Sequence, residues 1–146
     1  EYRFPCILEN GREWMLITPN EIETMKAPIA AAHGKVVTYG LGLGYFPFMV
    51  SAKETVTGVT VVEQDARVIE LFEKHILPKF PHRQKIRVVC EDAFAFAARK
   101  QKFDFVFADI WHDPSDGVEA YLRLKMLERD DVEYAYWIEK TLQYYM

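Results

Sequence analysis

Three alternate glycines and a downstream acid form the spacing that points most directly to chemistry. Gly40, Gly42 and Gly44 follow a short apolar, β-prone run in the segment VVTYGLGLG, and Glu63 ends the next such run. Glycines at the carboxyl end of a strand lack Cβ atoms, so a ligand can lie directly against the backbone. An acid about 20 residues further on can accept hydrogen bonds from both hydroxyls of a ribose. The pattern indicates a nucleoside-binding turn; the alternative is a βαβ unit with an ordinary glycine turn.

The glycine spacing differs from the dinucleotide fingerprint G-x-G-x-x-G. Counted from Gly40, the place of the third glycine is occupied by Tyr45, and counted from Gly42 it is occupied by Pro47. A glycine at that place allows close packing between the helix and the strand in nicotinamide-binding domains. The sequence therefore argues against a nicotinamide dehydrogenase.

Two further acids follow strand-like runs. Asp92 comes after IRVVC and precedes a helical segment, where it either accepts from an exocyclic amino group such as that of adenine or only caps the helix. Asp109 comes after FDFVFA and opens the loop D-I-W-H-D-P, which contains His112. There Asp109 either orients or deprotonates a nucleophile, with His112 as a helper, or only caps local backbone. A metal ion needs three or four protein ligands, and this loop has no partner cluster elsewhere, so we predict no metal.

The elements that must position these acids alternate along the chain between strand-like and helical patterns. This alternation predicts parallel strands with right-handed crossovers, in a Rossmann-like doubly wound α/β sheet of order 3-2-1-4. The carboxyl ends of parallel strands meet at one rim, so the glycines and the acids are expected to lie together. The predicted strands run from Val36 to Tyr39, Val56 to Val62, Ile86 to Cys90 and Phe103 to Ala108.

The flanking segments are expected to complete one domain of 146 residues. Residues 1–34 predict a β-hairpin, with its turn at Asn10-Gly11, followed by a helix with Thr18 as its N-cap. Residues 35–114 form the expected cofactor-binding core. Residues 115–146 predict a helical tail, because no segment after Pro114 resembles a strand.

Composition restricts the class of partner. The chain has 18 basic and 22 acidic residues and a net charge of −4, which argues against binding of duplex nucleic acid. Cys6 and Cys90 lie in apolar runs without a C-x-x-C motif, which is typical of buried free thiols in a reducing cytoplasm. No apolar run approaches the ~20 residues of a membrane span. The edge of the fourth predicted strand would be exposed and would invite pairing in a homodimer.

Four motifs, taken in order and spacing, resemble a known superfamily. The segments V-V-T-Y-G-L-G-L-G, V-V-E-Q-D, C-E-D-A-F and F-D-F-V-F-A-D resemble the nucleotide-binding half of class I S-adenosylmethionine-dependent methyltransferases, in their spermidine-synthase-like branch. The resemblance covers about residues 29–114. It implies a site for S-adenosyl-L-methionine in which the glycines lie against the methionine and ribose and the acids hold the ribose and adenine. The residues implied are Gly40, Gly42, Gly44, Glu63, Gln64, Asp92 and Ala93, with Asp109 facing the transferred group.

Two departures from the superfamily pattern leave the reaction open. Thr38 stands two residues before the first glycine, where methyltransferases usually carry an acid and aminopropyltransferases do not; the aspartate loop, however, does not match that of aminopropyltransferases closely. The full seven-stranded fold continues through a fifth strand and an antiparallel hairpin, so we expect a truncated fold whose acceptor-binding part is missing or replaced by helices. Methyl transfer to an unidentified acceptor is the expected reaction. The alternatives are aminopropyl transfer to a polyamine-like acceptor and a non-catalytic binding module.

Overall fold

The computed structural model of the protein describes residues 6–9, 12–16 and 19–146. The first two segments are strands β1 (Cys6–Glu9) and β2 (Arg12–Leu16), which pair antiparallel as the sequence predicts. The predicted turn at Asn10-Gly11 lies outside the described residues, as do the side chain of Cys6 and the predicted N-cap Thr18. Helix α1 (Pro19–Ala31) follows the hairpin.

A sheet of five parallel strands forms the centre of the molecule. Its spatial order, β5-β4-β3-β6-β7, is the predicted order 3-2-1-4 with a fifth strand added beside the fourth. The fold class predicted from the sequence is therefore confirmed. The strands are β3 (Gly34–Tyr39), β4 (Val56–Glu63), β5 (Ile86–Cys90), β6 (Phe105–Ala108) and β7 (Glu133–Tyr136).

Strand β7 corrects the prediction that residues 115–146 contain only helices. Residues 133–136 pair in parallel with β6 in a continuous register from Phe105↔Glu133 to Ala108↔Tyr136. The segment E-Y-A-Y alternates in side-chain direction, and it becomes a strand because β6 offers a free edge for its backbone hydrogen bonds. Strand β6 pairs with β3 on one side and with β7 on the other, so its edge is not exposed. The prediction of an exposed fourth-strand edge, which would invite pairing in a homodimer, is therefore wrong.

Five further helices are α2 (Tyr45–Ser51), α3 (Ala66–Leu71), α4 (Ala93–Ala98), α5 (Pro114–Met126) and α6 (Glu139–Tyr144). Helices α2 to α5 connect consecutive strands of the sheet, and α6 follows β7. Three of them begin at an aspartate whose side chain accepts a hydrogen bond from the first helical turn: Asp65 from Arg67 N, Asp92 from Ala95 N and Asp113 from Ser115 N. After α3 the chain continues through a π-helical turn and two 3₁₀ turns before it enters β5.

Two apolar clusters form the core, one on each face of the sheet. Alternate residues of β3 divide between them, so Val36 packs with one cluster and Val37 with the other. In the same way Phe105 and Phe107 of β6 face the first cluster, and Val106 faces the second. The two-residue period of a strand buried on both faces explains this division. The result is a rigid sheet that fixes the positions of its strand ends.

Cys90 is exposed, which corrects the prediction of a buried thiol. Strand β5 lies at the edge of the sheet and none of its five residues is fully buried. An edge strand has a neighbour on one side only, so an apolar run in the sequence does not ensure burial of every member. The Cys90 Sγ lies 3.7 Å from Gln64 O.

Candidate active site

A cleft of about 580 Å³ lies at the carboxyl ends of the five parallel strands. Each strand contributes the segment at or just after its end: residues 40–43 after β3, 63–65 at β4, 91–94 after β5, 109–112 after β6 and Trp137 after β7. Residues of α1, α2 and α5 complete the walls. This is the position at which open α/β sheets bind ligands, beside the point where the strand order reverses.

Eight of the nine residues predicted from the sequence line this cleft. The exception is Gly44, which is buried beneath it. A Cβ at Gly44 would lie 2.7 Å from Cε1 of Phe72, so this glycine makes room for an aromatic ring of the core. The eight that line the cleft are Gly40, Gly42, Glu63, Gln64, Asp92, Ala93, Asp109 and His112.

Gly40 allows two strand ends to approach each other. Its φ is +94°, and a Cβ there would lie 2.3 Å from the carbonyl oxygen of Asp109. Its N–H donates to Val62 O at 2.8 Å, while the N–H of Asp109 donates to Tyr39 O at 2.9 Å. A side chain at Gly40 would separate β3 from the loop after β6, so glycine is required by conformation and by space.

Gly42 differs from Gly40 because it faces open space. Its φ is +56°, and no atom lies within 4 Å of the position of a Cβ. Because the residue lines the cleft, the missing side chain leaves a cradle in which a ligand can contact the backbone.

Glu63 holds the turns on either side of it. The side chain is 9% exposed; its Oε1 accepts from Leu41 N at 3.0 Å and its Oε2 accepts from Asp65 N at 2.9 Å. Each carboxylate oxygen has two lone pairs, so one hydrogen bond to each leaves accepting capacity toward the cleft. Glu63 can therefore order the glycine turn and bind a pair of ligand hydroxyls at once.

The turn after β5 carries two acids with different partners. Asp92 caps α4 through Oδ1, which accepts from Ala95 N at 2.9 Å, so the capping role is realised by one oxygen of an exposed side chain that also lines the cleft. Glu91 pairs with Arg99 through Oε1, and the hydrogen bond from Arg99 lowers the pKa of the Glu91 carboxyl. Its Oε2 is buried and has no hydrogen-bond partner within the described part of the chain. The backbone of Ala93 follows at the base of the cleft.

Asp109 lies in the loop between β6 and α5, beside the carboxyl end of the central strand β3. Its side chain is partly buried. Burial, and to a smaller extent the negative charge of Glu21, raise the pKa of Asp109 to about 7. A carboxyl group with this pKa exchanges a proton readily near neutral pH, as a general base must.

His112 has Asp116 as its partner. Its backbone N–H donates to Asp116 Oδ1 at 3.1 Å, and Nδ1 of the exposed imidazole lies 3.8 Å from Asp116 Oδ2. Asp116 also completes the capping box of α5. The exposed His112 also lines the cleft.

Several cleft residues are not apparent from the sequence. Glu21 and Met25 come from α1, and Trp137 follows the unpredicted strand β7. A prediction of β7 from the sequence would also have predicted Trp137, because Trp137 directly follows β7 as Asp109 directly follows β6. The positions of Glu21 and Met25 depend on how α1 packs, and no local pattern reveals this.

The cleft is acidic. Its described lining contains no lysine or arginine, and the single histidine is His112. Such a site raises the local concentration of cationic ligands and disfavours anions. The carboxylates are those of Glu21, Glu63, Asp65, Glu91, Asp92 and Asp109.

Residues 6–9, 12–16 and 19–146 contain no group of three or more His, Cys, Asp or Glu side chains placed to hold a metal ion. Over those residues, no helix has both the length and the apolar character needed to span a bilayer.

Two solved structures share the fold. A spermidine synthase from Thermotoga maritima aligns over 87% of this chain and 46% of its own, with a TM-score of 0.62 and 15% identity. A dimethyladenosine transferase from Plasmodium falciparum aligns over 84% of this chain and 42% of its own, with a TM-score of 0.57 and 18% identity. The chain thus spans less than half the length of either protein. No curated protein sequence matches it significantly.

A family model gives the more specific result. The model of the spermine/spermidine synthase domain matches residues 31–128, which include β3 to β6 and every predicted site residue. The match confirms the resemblance seen in the four motifs. By this match, the chain belongs to the spermine/spermidine synthase domain family.

Proposed function

We propose that the chain binds S-adenosyl-L-methionine in this cleft and transfers the methyl group to an amine acceptor. The observation that carries the proposal is Asp109: a partly buried carboxylate with a pKa of about 7 that lines an acidic cleft. An amine must lose a proton when it becomes alkylated, and Asp109 is placed to accept it.

The residues of the cleft fit this cofactor. The open space beside Gly42 admits a ligand against the backbone, and the remaining lone pairs of Glu63 suit the two hydroxyls of a ribose. Gln64, Asp92 and the backbone of Ala93 line the part of the cleft assigned to adenine. The absence of lysine and arginine from the described lining leaves nothing there to repel a sulfonium cation.

The protein's contribution to the reaction is alignment and proton transfer. When bound, the cofactor supplies a methyl group on a positively charged sulfur, which is an activated leaving group. The rim of the sheet holds the acceptor nitrogen in line with that carbon, which replaces an encounter in solution by a fixed geometry. Asp109 takes the proton that the nitrogen releases, and the cleft's open side returns it to solvent.

Cofactor binding is tested by thermal shift with S-adenosylmethionine, S-adenosylhomocysteine, decarboxylated S-adenosylmethionine and NAD. A ligand present at about 100 times its dissociation constant stabilises the folded state by ~2.7 kcal/mol, which is a shift of several degrees. We expect shifts with the adenosyl compounds and none with NAD. An absence of shift with every adenosyl compound would overturn the proposal.

The substitution Asp109→Asn tests the catalytic role. It should lower turnover by about 10²–10⁴-fold, the usual contribution of a general base, and leave the dissociation constant of the cofactor unchanged. His112→Ala is the matched comparison, because the His112 imidazole also lines the cleft but is exposed, and its effect should be smaller. Turnover by Asp109→Asn at the wild-type rate would exclude Asp109 as the base.

A second reaction, aminopropyl transfer from decarboxylated S-adenosylmethionine to a polyamine-like amine, is favoured by one observation. The described lining offers no cationic side chain to pair with the carboxylate of S-adenosylmethionine, and the decarboxylated cofactor has no such carboxylate. A preference for the decarboxylated compound in the binding assay, with product formed from a polyamine, would replace methyl transfer by this reaction.

A non-catalytic binding module is the third possibility from the sequence. The sequence favours such a module because no strand is predicted after Pro114. The presence of β7 at residues 133–136 weakens that argument. Cofactor binding without turnover on any amine tested would support it.

A further inference from the structure

A series of hydrogen bonds connects the Asp109 loop with α1 through side chains that no motif indicated. Trp111 Nε1 donates to Trp137 O at 3.0 Å, and Trp137 Nε1 donates to Thr24 Oγ1 at 2.8 Å. The Thr24 hydroxyl in turn donates to Glu21 O at 2.7 Å. The series begins two residues after Asp109 and ends at the backbone of Glu21, so it joins the two elements that carry these acids.

The sheet side of this series is firmly placed. Trp111 is 4% exposed and stacks on Tyr136 with ring centroids 6.4 Å apart. The backbone N–H of Trp137 donates to Ala108 O at 2.9 Å, which continues the pairing of β6 with β7 by one residue. The indole of Trp137 therefore projects from a fixed point toward α1.

The α1 side depends more on such contacts. No residue of this helix is fully buried, and Met25 and Ile29 pack only partly against the core. At its carboxyl end Lys53 Nζ donates to Ile29 O, Ala30 O and Ala32 O. At the end nearer the cleft, the bond between Thr24 and Trp137 joins the helix to the sheet.

We propose that Trp137 is a positioning residue that, through Thr24, holds the Glu21 turn of α1 over Asp109 and so forms the acidic wall that receives the amine. The receipt of an amine rests on the proposed function; the coupling of Glu21 to Asp109 does not. Trp111 and the β7 backbone fix Trp137, while Glu21 and Met25 form the wall itself.

Other titratable groups also face the cleft around Asp109. They come from α1, α2, the ends of β4 and β5 and the Asp109 loop: Glu21, Tyr45, Glu63, Asp65, Glu91, Asp92 and His112. Among these, Glu21 is the one whose charge raises the pKa of Asp109. Movement of α1 away from the sheet should therefore be detectable at Asp109 itself.

The first test needs neither cofactor nor acceptor. The Asp109 carboxyl is titrated by carbon-detected NMR in ligand-free protein labelled at aspartate, with its signal assigned by its loss in Asp109→Asn. Thr24→Val and Trp137→Phe each remove one partner of the connecting bond and nearly keep its shape. We expect both to shift the Asp109 midpoint downward from about 7, because the like charge of Glu21 moves away. The double variant should show no further shift.

Lys53→Met is the matched control, because it releases the opposite end of α1. It should lower stability and leave the Asp109 midpoint unchanged. If the midpoint is unchanged in Thr24→Val and in Trp137→Phe, or if Lys53→Met shifts it equally, the proposal is overturned. Should Trp137→Phe fail to fold, Thr24→Val alone decides the question.

A second test applies to the working enzyme. Thr24→Val should raise KM for the amine about fivefold, the size of one lost hydrogen bond, with kcat and cofactor affinity nearly unchanged. An equal loss in cofactor affinity would show general loosening of the site and would overturn the specific role. If the protein binds no cofactor, the proposed function is wrong, but the NMR test of the coupling between Glu21 and Asp109 remains valid.

Discussion

The two rims of the central sheet use their charged groups in different ways. At the amino ends of the strands, Lys53 Nζ donates to three backbone carbonyls at 2.7–2.8 Å, and Lys85 Nζ donates to Lys53 O at 3.1 Å and Val56 O at 2.8 Å. Asp104 Oδ2 accepts from Lys35 N at 2.8 Å. Each of these charges satisfies backbone groups that the helices and strands leave without partners.

At the carboxyl ends, the acids keep accepting capacity. Within the described segments Glu91 Oε2 is buried without a hydrogen-bond partner, and Glu63 uses one hydrogen bond per carboxylate oxygen. The charges of the amino rim bind backbone groups of the fold. The acids of the carboxyl rim do this too, but they also line the cleft in which we propose that the cofactor binds.

The largest expected difference between the rims is their response to pH. Asp109 has a pKa of about 7 in the folded protein against an ordinary value of 3.8. The folded state therefore keeps a proton that the unfolded chain releases. This contribution is complete below about pH 4 and is lost as the pH rises to about 7, by up to ~1.4 kcal/mol per unit and roughly 4 kcal/mol in total.

Chemical denaturation of ligand-free protein from pH 4 to 8 measures this loss. Asp109→Asn should remove this pH-dependent loss. The free energy of unfolding of the variant should therefore increase relative to that of the wild type as the pH rises. Lys53→Met at the amino rim should keep the wild-type slope, since a lysine does not titrate in this range. Parallel slopes for wild type and Asp109→Asn would contradict the prediction.

The next effect concerns the contact between the β3 turn and the Asp109 loop. Gly40→Ala should lower the free energy of unfolding by ~3 kcal/mol, because its φ is +94° and the added methyl would lie 2.3 Å from Asp109 O. Urea unfolding measures the loss. Gly58→Ala on β4 is the control: its Cβ would meet Lys85 O at 3.9 Å, an ordinary contact, and its effect should be within ~0.5 kcal/mol.

A smaller loss is expected at the amino rim. Lys53→Met removes the donor that satisfies three carbonyls at the end of α1 and should cost ~2 kcal/mol, with cofactor affinity unchanged. Lys26→Met is matched to it, because Lys26 forms an exposed pair with Glu23, and it should change stability much less than Lys53→Met does. Equal effects of the two substitutions would mean that the carbonyl contacts contribute nothing special.

The smallest change in stability is expected at Gly42. Its φ of +56° makes alanine unfavourable by ~1 kcal/mol, but nothing lies within 4 Å of the added methyl. The methyl would instead occupy the cradle, so cofactor affinity in calorimetry should fall by about tenfold or more. A loss of stability as large as that of Gly40→Ala, or an unchanged affinity, would contradict the distinction between the two glycines.

The centre of the fold was predictable because its signals are local. The β-branched runs of β3 and β4, the glycine turn and the aspartate caps each determine their own conformation, and parallel pairing then brings Glu63, Asp92 and Asp109 to one rim. Strand β7 was not predictable in this way. Its four residues form a strand only because β6 lies beside them. The periodicity of a short segment does not predict pairing with a strand that is distant in the sequence.

The composition of the site shows the same limit. Gly44 fits the motif yet packs under Phe72, because a requirement for glycine does not reveal whether a ligand or a neighbouring ring needs the space. Glu21 and Trp137 fit no motif and enter the cleft through the docking of α1 and β7. Cys90 lies in an apolar run of the sequence, but it is exposed because β5 is an edge strand. Each of these outcomes depends on tertiary packing.

The all-parallel sheet also has a kinetic consequence. No two of its strands can pair through a tight turn, so each pairing waits until a crossover segment has closed. The chain segments that connect β3 with β4, β4 with β5 and β6 with β7 are short. The pairing of β3 with β6 instead requires a long loop to close: Lys35 and Asp104, which it brings together, are 69 residues apart. Docking of β6 on β3 should therefore be the slow step of folding. The Asp109 loop, which the Gly40 contact places, would form only after that step, so catalytic competence would appear last.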